Sequence, residues 1–164
     1  MRYIELTQNQ KVAVDDDLYE WLNQWKWYFR KRSGARAGGD VVRTLHGYDK
    51  NGHAKAQTLY MVSLICPVPT GFVVDHADGD PLNNQRHNLR RSTYRNNNVN
   101  AGVRRNNKTG IKGVYWHEAK QAYVVQLMVA GKKKWIGQSK NLETASKMSA
   151  AAIRRYHGSF ARAG

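Results

Sequence analysis

Asp75 and His76 stand side by side behind the apolar pair Val73-Val74, and Asn84, Asn88 and Asn97 follow at intervals. Carboxylate and carboxamide oxygens are hard donors, suited to Mg²⁺ or Mn²⁺. An imidazole titrates near neutrality and can take a proton from water, provided a neighbour holds the ring in one tautomer. Side chains of these types, gathered in one place, suit metal-assisted hydrolysis. Singly, each has a plainer use, because an Asp-His pair is commonly incidental and asparagines commonly build turns. Their joint spacing is what sets them apart.

That spacing runs Asp75-His76, Gly79, Leu82, Asn84, Asn88-Leu89-Arg90, Thr93 and Asn97. It closely resembles the HNH endonucleases, particularly the small homing-type enzymes. The resemblance implies phosphodiester hydrolysis in DNA with one divalent metal ion, Mg²⁺ or Mn²⁺. It implies His76 as general base, Asp75 and Asn97 as metal ligands, and Asn88 as the residue orienting His76. It also implies a ββα-metal core, in which Asp75 and His76 end the first strand, Asn88 lies in the second arm and Asn97 sits on the following helix. Arg90, Arg91 and Arg95 would then lie near the DNA backbone. Two departures from the family pattern stand out: Met61-Val62-Ser63 replaces Met-His-Arg, and Leu82-Asn83-Asn84-Gln85 replaces Leu-Asp-Asn-Arg. His87, Asp78 and Asp80, lying between motif positions, read as loop residues. His46 and His53 carry no pairing signal.

The elements that must position these residues divide the chain into segments. Residues 1–58 form an N-terminal mixed β/α segment. Val12 and Val14 read as a strand running into a helix whose N-terminus carries Asp15-Asp16-Asp17, where acids complement the dipole. Trp21, Trp25 and Trp27 read as packing aromatics. Asp49-Lys50-Asn51-Gly52 is a hairpin signal between Arg43–Tyr48 and His53–Leu59, and Arg30, Lys31, Arg32 and Arg36 form a basic loop. Residues 59–100 hold the nuclease core, and 101–108 read as a linker.

Residues 109–160 carry strand candidates at Ile111–Trp116, Tyr123–Val129 and Lys133–Ile136. An Ala-rich helical stripe follows over Leu142–His157, with Gly158 placed to end it. Strand alternation turns Tyr123, Val125, Leu127 and Val129 toward the helix, and Val124, Gln126 and Met128 away from it. The Gly-x-x-Gly-Val opening at Gly110–Val114, Trp135-Ile136-Gly137 and the Ala-rich helix resemble the AP2 DNA-binding domain, which lays an open sheet face in the major groove. That resemblance makes Lys112, Tyr115, His117, Gln126, Lys132 and Lys134 candidate DNA contacts, with lysines mainly at phosphates and Gln126 at a base edge. The expected fold class is α+β. It joins a ββα-metal core and its N-terminal β-rich segment to a C-terminal three-stranded antiparallel sheet packed on one helix.

Charge agrees with a polyanion partner. The chain has 164 residues, with 27 Lys and Arg against 12 acids and a formal charge of +15. Beyond residue 100 the only acids are Glu118 and Glu143, so the excess concentrates in the C-terminal segment. Cys66 is the sole cysteine, which excludes an intramolecular disulfide and a CxxC-type structural zinc site. The opening Met1-Arg2-Tyr3-Ile4-Glu5 lacks an apolar core, and Pro67 and Pro69 interrupt the apolar run Leu59–Val74. The expectation is a soluble, cytoplasmic protein with no membrane partner, encoded by a phage or mobile element. Double-stranded DNA is the expected partner, and one metal site per chain suggests nicking by a monomer rather than a dimer. A DNA-binding regulator with an inactive nuclease core is the alternative. An RNA-binding structural protein fits the charge but not the Asp75/His76/Asn88/Asn97 set.

Overall fold

A computed structural model describes residues 1–33, 38–104 and 106–158. Arg36, one of the four residues of the expected basic loop, lies outside them. The chain forms two compact units, Met1–Thr93 and Tyr94–Gly164. The first therefore joins the N-terminal segment to the strand pair that carries Asp75 and His76.

The first unit opens with the antiparallel hairpin β1 (Arg2–Glu5) and β2 (Lys11–Val14). Helix α1 (Asp16–Leu22) follows directly, with Asp16 and Asp17 in its first turn as the dipole favours. β3 (Tyr28–Lys31), β4 (Gly39–Tyr48) and β5 (Ala54–Tyr60) make a three-stranded antiparallel meander. The expected hairpin turn between β4 and β5 is present. Asp49 Oδ1 accepts from Asn51 N and His53 N at 2.8 and 3.0 Å, and Gly52 supplies the positive φ of 79° that closes it. After the short α2 (Met61–Ile65), β6 (Phe72–His76) pairs antiparallel with β7 (Leu89–Thr93).

The β1–β2 hairpin and the residues that follow it supply most of the core. Ile4, Leu6, Val12, Val14, Leu22, Trp27, Val41 and Met61 are buried together. Full burial of aliphatic and aromatic side chains contributes about 1.5–3 kcal/mol each. Trp27 is completely buried, and its indole donates to Leu22 O at 2.8 Å, so its one polar atom is satisfied. Trp25 packs edge-on against it, and Trp21 edge-on against Trp25 at the surface. All of this core except Met61 comes from the N-terminal segment; the β6–β7 pair adds no member to it.

The second unit contains α3 (Tyr94–Asn100), β8 (Val114–His117), β9 (Ala122–Val129), β10 (Lys132–Ser139) and α4 (Leu142–His157). The three strands form one antiparallel sheet with β9 in the middle. The helix packs on one face through Ala145, Met148, Ala152, Ile153 and Tyr156. Tyr123, Val125, Leu127 and Val129 meet it, as alternation predicts. Val124 also is buried, flanked on the central strand by Tyr115 and Gln138. Asn141 caps α4 by accepting from Thr144 N at 3.0 Å. Gly113 has φ 75°, and a Cβ there would collide with the Leu127 side chain, so only glycine allows that approach. The stretch expected as a linker is partly built into this unit: Asn107 Nδ2 donates to Ile111 O at 2.9 Å, and its Oδ1 accepts from Thr109 N at 2.9 Å. Among the described residues, no helix is long and apolar enough to cross a membrane.

Candidate active site

β6 ends in Asp75 and His76, opposite Arg90 and Leu89 on β7. Asp75 is 3% exposed, and Arg90 answers its charge: Nε and Nη2 both lie 2.8 Å from Asp75 Oδ2. A carboxylate this deep needs such a partner, because burial without one is costly. Arg90, expected near the DNA backbone, thus has its guanidinium on Asp75. Arg91 is exposed, with its guanidinium 4.5 Å from the Phe72 ring.

The connection from His76 to Leu89 is ordered by its own polar side chains. Asn88 is 4% exposed. Its Oδ1 accepts from Asp78 N at 3.0 Å, while Nδ2 donates to Asp78 Oδ1 at 2.9 Å and to Asn83 O at 2.8 Å. Asp78 also accepts from Asp80 N and from Asn83 Nδ2, both at 2.8 Å. Partial desolvation pushes the Asp78 carboxyl up. The hydrogen bonds from Asp80, Asn83 and Asn88, with the nearby His76 ring, outweigh it and hold the group below the ordinary carboxylate range. Asp78, read from sequence as a plain loop residue, is therefore a centre of the loop.

Asn84 is hydrogen-bonded to the His76 ring. Its Oδ1 lies 2.7 Å from His76 Nε2, and Asn84 is wholly buried. Asn88, expected to orient His76, has its amide on Asp78 and Asn83. Asn84 stood in the spacing pattern but was given no task, since nothing local to the sequence tells two loop asparagines apart.

The N-terminal segment holds the loop from outside. Ala13 N donates to Leu82 O at 2.8 Å and Asn84 N donates to Ala13 O at 2.9 Å, a short parallel bridge along β2. Asp15 makes no side-chain cap on its own helix; its Oδ2 accepts from Arg86 N at 2.9 Å. Arg86 Nη1 reaches Asp17 Oδ2 at 2.7 Å.

Asn97 lies on α3, four residues beyond the end of β7 along the chain and within the second unit. Arg95, on the same helix, is exposed. The donor chemistry of Asp75 suits a hard divalent cation: it is a carboxylate fixed at a strand end, with both Arg90 contacts on one oxygen. Among the described residues there is no cluster of three or more His, Cys, Asp or Glu side chains that could hold a metal. A set of one carboxylate and one carboxamide lies outside that description.

The candidate DNA contacts of the second unit separate by face. Tyr115 and Gln126 lie on the sheet face opposite α4; Tyr115 is exposed and Gln126 half-buried. His117 shares that face and is half-buried. Lys132, exposed where β10 begins, is paired with Val129 and so belongs to the side that faces α4. Lys134 turns to the same side, its Nζ 4.5 Å from the Tyr156 ring. Lys112 Nζ donates to Val99 O and, at 2.6 Å, to Ala101 O, carbonyls at the end of α3. Sequence reasoning placed Met128 on the open face but missed Lys133 and Trp135, which stand there with Gln126. Alternation along β10 carried the signal, because Ile136 is apolar and core-facing, so Lys134 goes inward and Lys133 and Trp135 outward.

Residues 66–99 match the family model of the HNH endonuclease. Over 96 residues the chain is 31% identical to Protein 3.8 of Escherichia phage T7, an alignment covering 58% of this chain and 78% of that protein. The chain belongs to the Protein 3.8 family. Within this family member, the HNH match spans α2's C-cap, both strands β6 and β7, the ordered loop between them and most of α3. No solved structure matches the chain.

Proposed function

We propose that the chain is a metal-dependent DNA endonuclease of homing type, site-preferring and encoded by a phage or mobile element. The carrying observation is the Asp75-His76 pair at the end of β6, inside the HNH match, with the ring of His76 held by a hydrogen bond. Asp75 and Asn97 would hold one Mg²⁺ or Mn²⁺. When bound, that cation supplies positive charge to offset what develops on the phosphate and the departing 3′ oxygen. His76 takes a proton from the water that attacks phosphorus, and the bond from phosphorus to the 3′ oxygen breaks. Arg90 keeps Asp75 in place rather than holding DNA.

The second unit would hold double-stranded DNA on its open sheet face, in the manner of an AP2 domain. Tyr115, Gln126, Lys133 and Trp135 are the contacts this reading favours. Antiparallel strands packed on one helix and the strong basic excess beyond residue 100 support it. One such centre per chain favours nicking by a monomer.

A second reading, a DNA-binding regulator with an inactive core, draws on two observations. Val62 stands where the family usually has histidine, and Arg90 occupies the proposed metal-binding carboxylate. The deciding experiment is conversion of supercoiled plasmid with Mg²⁺, with Mn²⁺ and with EDTA, alongside His76→Ala. Metal-dependent nicking lost in the variant supports the enzyme. Tight binding with no cleavage under either metal supports the regulator.

A further inference from the structure

β8, β9 and β10 carry no arginine and no carboxylate. The commonest specific contact to guanine is a bidentate one from arginine or lysine to O6 and N7 in the major groove. The sheet face away from α4 is built from other types. Tyr115, Gln126, Met128, Trp135 and Gln138 stand on it by register, with Val124 buried among them. Tyr115, Met128 and Trp135 are 44%, 52% and 57% exposed. A partner that covers these side chains gains apolar burial. Lys133 stands on the same face beside the β9–β10 turn, where a lysine suits a phosphate.

Gln126 lies on the central strand, opposite Trp135. Its backbone N–H donates to Gly113 O at 2.8 Å, so its neighbour on that side is a glycine and no side chain screens it there. The Gln126 side-chain amide has no hydrogen-bond partner among the described residues. An amide offers a donor and an acceptor side by side, which matches N7 and the N6 amino group of adenine. Guanine presents two acceptors at the same place and leaves the amide oxygen unmatched. The paired thymine offers a methyl group, which suits the apolar side chains around Gln126.

We propose that this face reads A·T base pairs: Gln126 takes the major-groove edge of adenine, and Met128 and Trp135 pack on thymine methyl groups. The inference rests on the reading of the second unit as a major-groove binder and adds the bases it selects.

The test begins with selection of bound duplexes from a random pool by the full-length protein, in EDTA so that nothing is cut. The expected result is a core of A·T pairs in the wild-type sites that is lost from sites selected by Gln126→Ala. Two replacements in the selected duplex then probe the major groove alone. Putting 7-deazaadenine for the core adenines removes N7, and is expected to weaken wild-type binding at least about 5-fold while leaving Gln126→Ala unaffected. Putting deoxyuridine for thymine removes only the methyl group, with an expected loss of about 4-fold for each methyl contacted. A G·C core, or unchanged wild-type binding on both replaced duplexes, overturns the proposal. A dimer of the free protein that is lost in Trp135→Ala also overturns it, because a second copy would then cover the face. Retention of no duplex even at low salt overturns the major-groove reading itself. Duplex binding with no A·T preference overturns the base preference alone.

Discussion

Arg90 places Nε and Nη2 against one and the same oxygen of Asp75, Oδ2, each at 2.8 Å. A fork that straddled both carboxylate oxygens would close the group on its inner side. Here both contacts fall on Oδ2, and the register of β6 against β7, which sets Asp75 opposite Arg90, fixes the carboxylate at the strand end.

Removing Arg90 strands a carboxylate that is 3% exposed. Arg90→Met is therefore expected to destabilise the first unit by about 3 kcal/mol. That is the low end for breaking a buried pair, chosen because the arginine side chain is itself 24% exposed. Urea denaturation measures it. Asp75→Asn is expected to fold nearly as well and to lose metal-dependent nicking.

Asn88→Ala would remove three hydrogen bonds that join Asp78 and Asn83 across the loop. The expected cost is about 2–3 kcal/mol, read as a lower thermal midpoint. Because this asparagine orders the loop, cleavage should fall together with stability.

The Asp78 carboxyl is held below its ordinary value of 3.8 in the folded chain. Its contribution to stability is complete above that unfolded value and is lost as pH falls through the lower folded one. Wild type and Asp78→Asn should therefore differ most at neutral pH and converge in strong acid. Urea midpoints of both proteins across the acid range check this.

On the open sheet of the second unit, Lys133→Ala should reduce the slope of log K against log salt for DNA binding by about 1. Lys134→Ala should leave that slope unchanged, because its ammonium lies over Tyr156 on the helix side. Equal slopes for both variants would count against this face as the DNA surface.

The sequence made much of the architecture legible. Asn51-Gly52 marked the β4–β5 turn, and alternation over Tyr123–Val129 picked out the strand face that meets α4. Val73–His76 marked a strand end because an apolar pair leads into a Gly/Asn/Pro-rich loop. That Asn84 bonds the His76 ring was not legible. Asn84 and Asn88 are alike in type and neighbourhood, and their difference arises from Ala13, about 70 residues earlier, which pins one of them to β2. The Asp75–Arg90 pairing was hidden for a similar reason, since it depends on the register of β6 against β7. Lys134 was misplaced among outward-facing candidates where strict alternation would have sent it inward.

The bridge between Ala13 and residues 82–84 bears on how this nuclease motif can travel between proteins. The strands inside the matched stretch 66–99 add nothing to the main buried cluster of the first unit, and their loop leans on β2, Asp15 and Asp17. A fragment cut at the motif's own edges would carry the reactive residues without their frame. Grafting this chemistry onto another scaffold would require a host strand offering one N–H and one carbonyl at the position of Ala13, with a carboxylate two residues further on.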